Sequence, residues 1–112
     1  MITINNLEEM KKYYVEEINT YVFNDNVEFN FDVMVNSDIN ARDITAYDIK
    51  ALNIKANDIG ALDINAWDIE ADNISYYAIC FAYKNIKCKS ISGRRKNHKH
   101  FVLDGKLEVE YE

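Results

Sequence analysis

Nine isoleucines recur at intervals of five, at Ile39, Ile44, Ile49, Ile54, Ile59, Ile64, Ile69, Ile74 and Ile79, and alanine stands two residues after each of the first seven. A period of five matches neither the 3.6 of a helix nor the 2.0 of a strand, so one straight element cannot bring all nine to a common face. The chain has to turn once per repeat. Residues two apart in an extended segment share a side, so Ile and Ala point inward together and the residue between them points out. The other two positions make a corner. Asp or Asn closes it at 38, 43, 48, 53, 58, 63, 68 and 73, and such short acceptors suit tight turns. The absence of proline fits a backbone whose donors are needed throughout.

The flanks read differently. Asn5 or Asn6 can cap a helix starting at Leu7, with Glu8 and Glu9 in its first turn. Leu7, Met10, Tyr14, Ile18 and Tyr21 then form one apolar stripe over about four turns. Val27, Phe29, Phe31, Val33 and Val35 alternate with more polar residues, a strand period. Beyond Ile79 the pattern loosens through Phe81, Ile86, Cys88 and Ile91 to Gly93, which predicts one less regular coil. Phe101, Val102 and Leu103, an Asp104-Gly105 turn, and Leu107, Val109 and Tyr111 predict a closing hairpin. The expected organisation is one domain: residues 1–36 as an N-terminal helix and strand cap, 37–93 as repeats, and 94–112 as basic loop and hairpin cap. A solenoid buries its faces only by stacking neighbours and sealing its ends.

Units such as Ile44-Thr-Ala-Tyr-Asp48 and Ile64-Asn-Ala-Trp-Asp68 resemble the pentapeptide-repeat family over roughly residues 37–93. The resemblance implies a mainly β fold, a right-handed four-sided parallel β-helix with four repeats per coil, about twenty residues, and coils ~4.8 Å apart. The family's small residue precedes the large one, whereas here Ile precedes Ala, which allows a modified cross-section or corner. Four repeats per coil would stack Asp43 near Asp63, Asp48 near Asp68 and Asp38 near Asp58. They would also set Tyr47 beside Trp67 on outward positions, with Leu52 and Leu62 outward on neighbouring sides.

Charge is uneven. Residues 1–36 carry seven acids and two bases, residues 37–80 eight and three, and residues 81–112 four acids against eight bases, for a net −6. Cys80 and Cys88 are too few for a disulfide framework and are expected as reduced thiols. No apolar run reaches the roughly 18 residues of a membrane span and residues 1–20 lack a secretory pattern, so a cytoplasmic protein is expected. No phosphate loop, nucleophile elbow or HExxH motif occurs, and His98 and His100 lack acidic or thiol partners for a metal. Neither a catalytic site nor a cofactor is expected.

For each remaining feature two readings stay open. The aspartates either close turns, or Asp43, Asp48, Asp58, Asp63 and Asp68 form an array resembling duplex phosphates. Tyr47 and Trp67 are either covered by the caps or serve as contact anchors. Arg94, Arg95, Lys96 and Lys99 lie in a solvated loop, or they meet nucleic-acid phosphates or the acidic body of a second copy. Without interleaved aromatics these cations provide no base stacking, so sequence-specific recognition is not expected. The family resemblance implies a non-enzymatic binding protein: an acidic DNA mimic inhibiting a host DNA-binding complex, of the topoisomerase-inhibitor or anti-CRISPR type. The alternatives are an assembly module, as a homodimer or larger array, and nucleic-acid binding through the basic segment. A composition rich in Asn, Ile and Lys suits a phage or mobile element of an AT-rich bacterium.

Overall fold

The computed structural model describes residues 1–110 and is built of stacked parallel coils, a β-solenoid. Through the repeats the register is constant: Ile39 lies beside Ile54, Ile44 beside Ile59, Ile49 beside Ile64, Ile54 beside Ile69 and Ile59 beside Ile74. Each step is fifteen residues, so three five-residue units complete a coil where four were expected. Each unit provides a three-residue strand, Asp-Ile-x, and a two-residue corner, Ala-x. Three such sides bring three Ile side chains together at the centre.

The strands form three columns. The first holds Ile2–Ile4, Val27–Phe29, Asp43–Thr45, residues 58–60, residues 73–76 and Ser90–Gly93. Val33–Met34, Asp48–Lys50, residues 63–66, residues 79–82 and Lys99–Val102 make the second. In the third stand Thr20–Val22, Asp38–Asn40, Asn53–Lys55, residues 68–70, residues 86–88 and Leu107–Val109. Ile39 through Ile74 are buried, as are Ala51, Ala61, Ala66 and Ala71, while Ala41, Ala46 and Ala56 are half-buried against them. The alternation from Val27 to Val35 points inward as expected, but a corner splits it between the first and second columns.

Ile79 breaks the rule and is 46 % exposed. The register shifts here, so that Ile64 pairs with Cys80, which takes the inward place. Ala78 stands where Asp or Asn precedes each earlier isoleucine, and Tyr76 occupies the slot of Ala61. The larger side chain needs a longer corner, and the added residue turns Ile79 outward.

Both caps differ from expectation. The N-terminal helix is a single turn, Leu7–Met10, whose cap Asn6 accepts the Glu9 N–H at 3.0 Å. It passes through 3-10 turns at Lys11–Tyr13 and Glu16–Ile18, and Asn19 in the left-handed region (φ 49°) ends any helical course. Tyr14–Val15 then pairs antiparallel with Thr20–Val22, which itself extends the third column. The open edge of the first regular coil gains more from strand partners than from a helix laid across it. At the other end, Lys99–Val102 and Leu107–Val109 do not pair with each other as a hairpin. They add in parallel to residues 79–82 and 86–88, forming a last coil. That arrangement satisfies the edge left by the preceding coil, which a hairpin would leave bare. The corner between them runs close beneath its neighbour: a Cβ on Gly105 would run into the Lys84 carbonyl oxygen. Tyr111, the end of the expected alternation, lies outside the described residues.

Candidate partner-binding face

The repeat aspartates stand at or just before the start of each three-residue side, and most reach the backbone one coil further on, whereas Asp58 Oδ1 accepts from the Asn73 side-chain amide at 2.8 Å. Asp32 Oδ1 accepts from Asp48 N–H, Asp38 from Asn53, Asp43 from Asp58, Asp63 from Ile79 and Asp68 from Asn85, all at 3.0–3.3 Å. The side chains therefore tie coils together rather than closing their own turns. Asn85 does the same without charge, its Oδ1 accepting the Lys106 N–H at 3.0 Å.

The fifteen-residue register changes which aspartates are neighbours. Asp43 and Asp58 stack in the first column and continue into Asn73; Asp38, Asn53 and Asp68 stack in the third. Only in the second column is the row of acids unbroken: Asp32 bonds the start of the strand carrying Asp48, which stacks on Asp63. The pairs Asp43–Asp63, Asp48–Asp68 and Asp38–Asp58 are not formed. Burial raises the Asp48 carboxyl above the usual range, and the charges of Asp32 and Asp63 add to the shift, against a lowering by the Asp63 N–H.

The last residue of each corner forms three ridges. Arg42, Asn57 and Asp72 follow one another on the ridge between the third and first columns, each joined to the next by a backbone bond. Tyr47 and Leu62 are joined in the same way between the first and second columns, with Tyr77 beyond them. Leu52 and Trp67 follow between the second and third, where the Trp67 ring meets Tyr83 at 5.3 Å. Tyr47 and Trp67 thus stand on different ridges and do not stack. Neither cap covers them: they are 51 % and 46 % exposed. Two apolar ridges bound the second-column face, and a polar one lies away from it.

Of the residues singled out from sequence, Asp48, Asp63, Tyr47 and Trp67 come together on this face. Asp43 and Asp58 belong to the first-column face and Asp68 to the third. In the basic run, Arg94 is engaged internally, its guanidinium donating to Ser75 Oγ at 2.7 Å and to the Ala61 carbonyl at 3.0 Å. Arg95 donates its backbone N–H to the Tyr77 carbonyl, Lys96 is exposed, and Lys99 Nζ stands 4.9 Å above the Phe101 ring. The His100 Nδ1 lies 2.7 Å from the buried Tyr76 hydroxyl, and burial, then His98, lowers its pKa. Among the described residues no cluster of His, Cys, Asp and Glu could hold a metal ion, and no helix is long and apolar enough to cross a membrane.

Sequence reasoning missed Asp32, Ile79, Phe81, Tyr83 and Phe101 on the same face. A signal for the coil length was present. The corner residues read Arg42, Tyr47, Leu52, Asn57, Leu62, Trp67, Asp72, Tyr77, one polar followed by two apolar, which repeats every three units. Comparison with family models, curated proteins and solved structures gives no match. The pentapeptide-repeat resemblance rests on the repeat residues alone.

Proposed function

We propose that this is a non-enzymatic binding protein that competes with DNA for a cationic groove on a host DNA-binding complex, such as a nuclease effector or a topoisomerase. Acting in the cytoplasm of a bacterial host, as a phage or mobile-element product would, it presents Asp32, Asp48 and Asp63 in place of phosphates, with Tyr47 and Trp67 as flanking anchors. The observation that carries this reading is that charge is not needed for the coil-to-coil bond. Asn85 makes that bond uncharged, and Asn stands in the rows of the other two columns, yet the second column stacks three acids, and the Asp48 carboxyl is raised by burial first and then by the charges of Asp32 and Asp63. Residues that cost stability without structural need mark places where function is under selection. Coil-to-coil bonds also hold the Asp32 and Asp63 side chains, on either side of Asp48, so the anionic array is largely preorganised for a partner.

The test is capture of partners on the immobilised protein from a nuclease-treated bacterial lysate, beside a variant carrying Asp32→Asn, Asp48→Asn and Asp63→Asn. The variant keeps every acceptor and removes three charges. A DNA-binding enzyme retained by the parent alone and released by duplex DNA supports the proposal. Equal retention by both proteins refutes it. The exposed ridges favour one second reading, an assembly module in which copies meet through this face, and a concentration-dependent rise in mass by light scattering would support that instead.

A further inference from the structure

Toward the C-terminal end the second-column face changes character. Above Asp63 the outward residues become Ile79 and Phe81, then Lys99 and Phe101. Phe101 and Phe81 meet at 4.7 Å between ring centres, Phe81 and Tyr83 at 4.9 Å, and Tyr83 and Trp67 at 5.3 Å, so four rings run without a gap across three coils. Trp67 and Tyr83 are exposed and the two phenylalanines half-buried behind them. Lys84 Nζ lies 5.8 Å above the Trp67 ring and Lys99 Nζ 4.9 Å above Phe101. Residues 73–103 contain seven Lys and Arg and no acid. Asp63 borders the patch with one carboxylate oxygen held by the Ile79 N–H.

The sequence separates these groups: the basic run has no aromatic within it, and Trp67 lies in the acidic body. Only the coil stacking interleaves them. Exposed rings in a row with cations between them form the surface that holds unpaired bases, since every base has a face to stack and every nucleotide a phosphate to neutralise. A base pair inside a duplex offers no such face. We propose that this aromatic and basic patch binds single-stranded nucleic acid, with Trp67 and Tyr83 stacking on bases and Lys84 and Lys99 meeting phosphates. This goes beyond the acidic row and does not depend on it.

Trp67 is the chain's one tryptophan, so its fluorescence reports on the patch. Titration of the full chain with a fluorescein-labelled oligothymidine should quench Trp67 and raise the anisotropy of the label. Duplex DNA and inorganic polyphosphate should do neither at the same concentrations. Tyr83→Ala should weaken binding about tenfold. Lys84→Gln should weaken it less and make the slope of log affinity against log salt shallower by about 0.7. The melting curve of Lys84→Gln should match the parent, and that of Tyr83→Ala, which gives up ring contacts with Trp67 and Phe81, should lie slightly lower but stay a single transition well above the assay temperature. Asp48→Asn should leave oligonucleotide binding intact, which separates this proposal from the mimic. Three results would each overturn it: no binding of oligothymidine; equal binding of polyphosphate with no effect of Tyr83→Ala, which would reduce the patch to its charge; or a stable dimer whose mass and Trp67 emission the oligonucleotide leaves unchanged.

Discussion

Replacing Asp48 by Asn should make the protein more stable near pH 7. Asp48 lies between Asp32 and Asp63 in the second column, one strand spacing from each. Two unit charges ~4.8 Å apart in water repel by about 0.9 kcal/mol, so two neighbours oppose the charge on Asp48 by about 1.7 kcal/mol. The side chain is exposed and the charges are screened, which brings the expected gain to roughly 0.5–1 kcal/mol, a rise of about 2–6 °C in melting temperature. The sign follows from linkage. A carboxyl raised above its unfolded pKa of about 3.9 favours the folded state fully below that value, and the benefit is lost as pH rises through the folded pKa. The advantage of the Asn variant should therefore be present near neutrality, vanish below about pH 4 and shrink with added salt. Thermal unfolding followed by circular dichroism at two pH values and two salt concentrations measures all of this. An Asn variant no more stable than the parent at neutral pH, or one whose advantage persists in acid, would refute the reasoning.

Ile64→Ala should cost about 2–5 kcal/mol, because Ile64 is fully buried, whereas Ile79→Ala should cost less than about 1 kcal/mol despite its place in the same series; urea unfolding compares them. Tyr76→Phe should cost about 1 kcal/mol through its bond to His100. Because burial lowers the His100 pKa, its contribution is complete above about 6.5 and is lost as pH falls through the folded value; a His100→Asn variant should show a flatter stability profile between about pH 7 and pH 5. Gly105→Ala should destabilise by about 1–3 kcal/mol, since the added Cβ would meet the Lys84 carbonyl. Gly60→Ala should be tolerated, its nearest contact being at 3.9 Å, and paired melting curves decide both.

The five-residue spacing of isoleucine made the inward face of every coil legible from Ile39 to Ile74, because side-chain direction in a short extended segment is a local property. Coil length was less so. It is set by how many sides close around a packed centre, and in the sequence it shows only in the outward corner residues from Arg42 to Tyr77. The N-terminal stripe from Leu7 to Tyr21 is compatible with a helix, but the open strand edge at Asp38–Asn40 takes Thr20–Val22 for itself, and no local pattern records that competition. Ile79 kept the spacing and lost the burial, since one added corner residue reverses every side chain after it. Of the candidate site, the residue types were visible but their neighbours were not: Asp48 and Asp63, Trp67 and Tyr83, and Phe81 and Phe101 meet across coils.

The placement of both halves of the second-column face rests on fifteen residues making one coil. Disulfide trapping tests this directly. In a Thr45→Cys, Gly60→Cys variant the two new thiols occupy adjacent strands in register, at a Cα separation of about 4.8 Å that a disulfide spans without strain. Native Cys80 and Cys88 are buried, and burial, with Cys88 beside it, pushes the Cys80 thiol up to about 12, so neither competes. Mild oxidation should cross-link this pair quantitatively and leave a Thr45→Cys, Asn65→Cys pair free. Cross-linking of the second pair and not the first would show four units to the coil and dismantle the face.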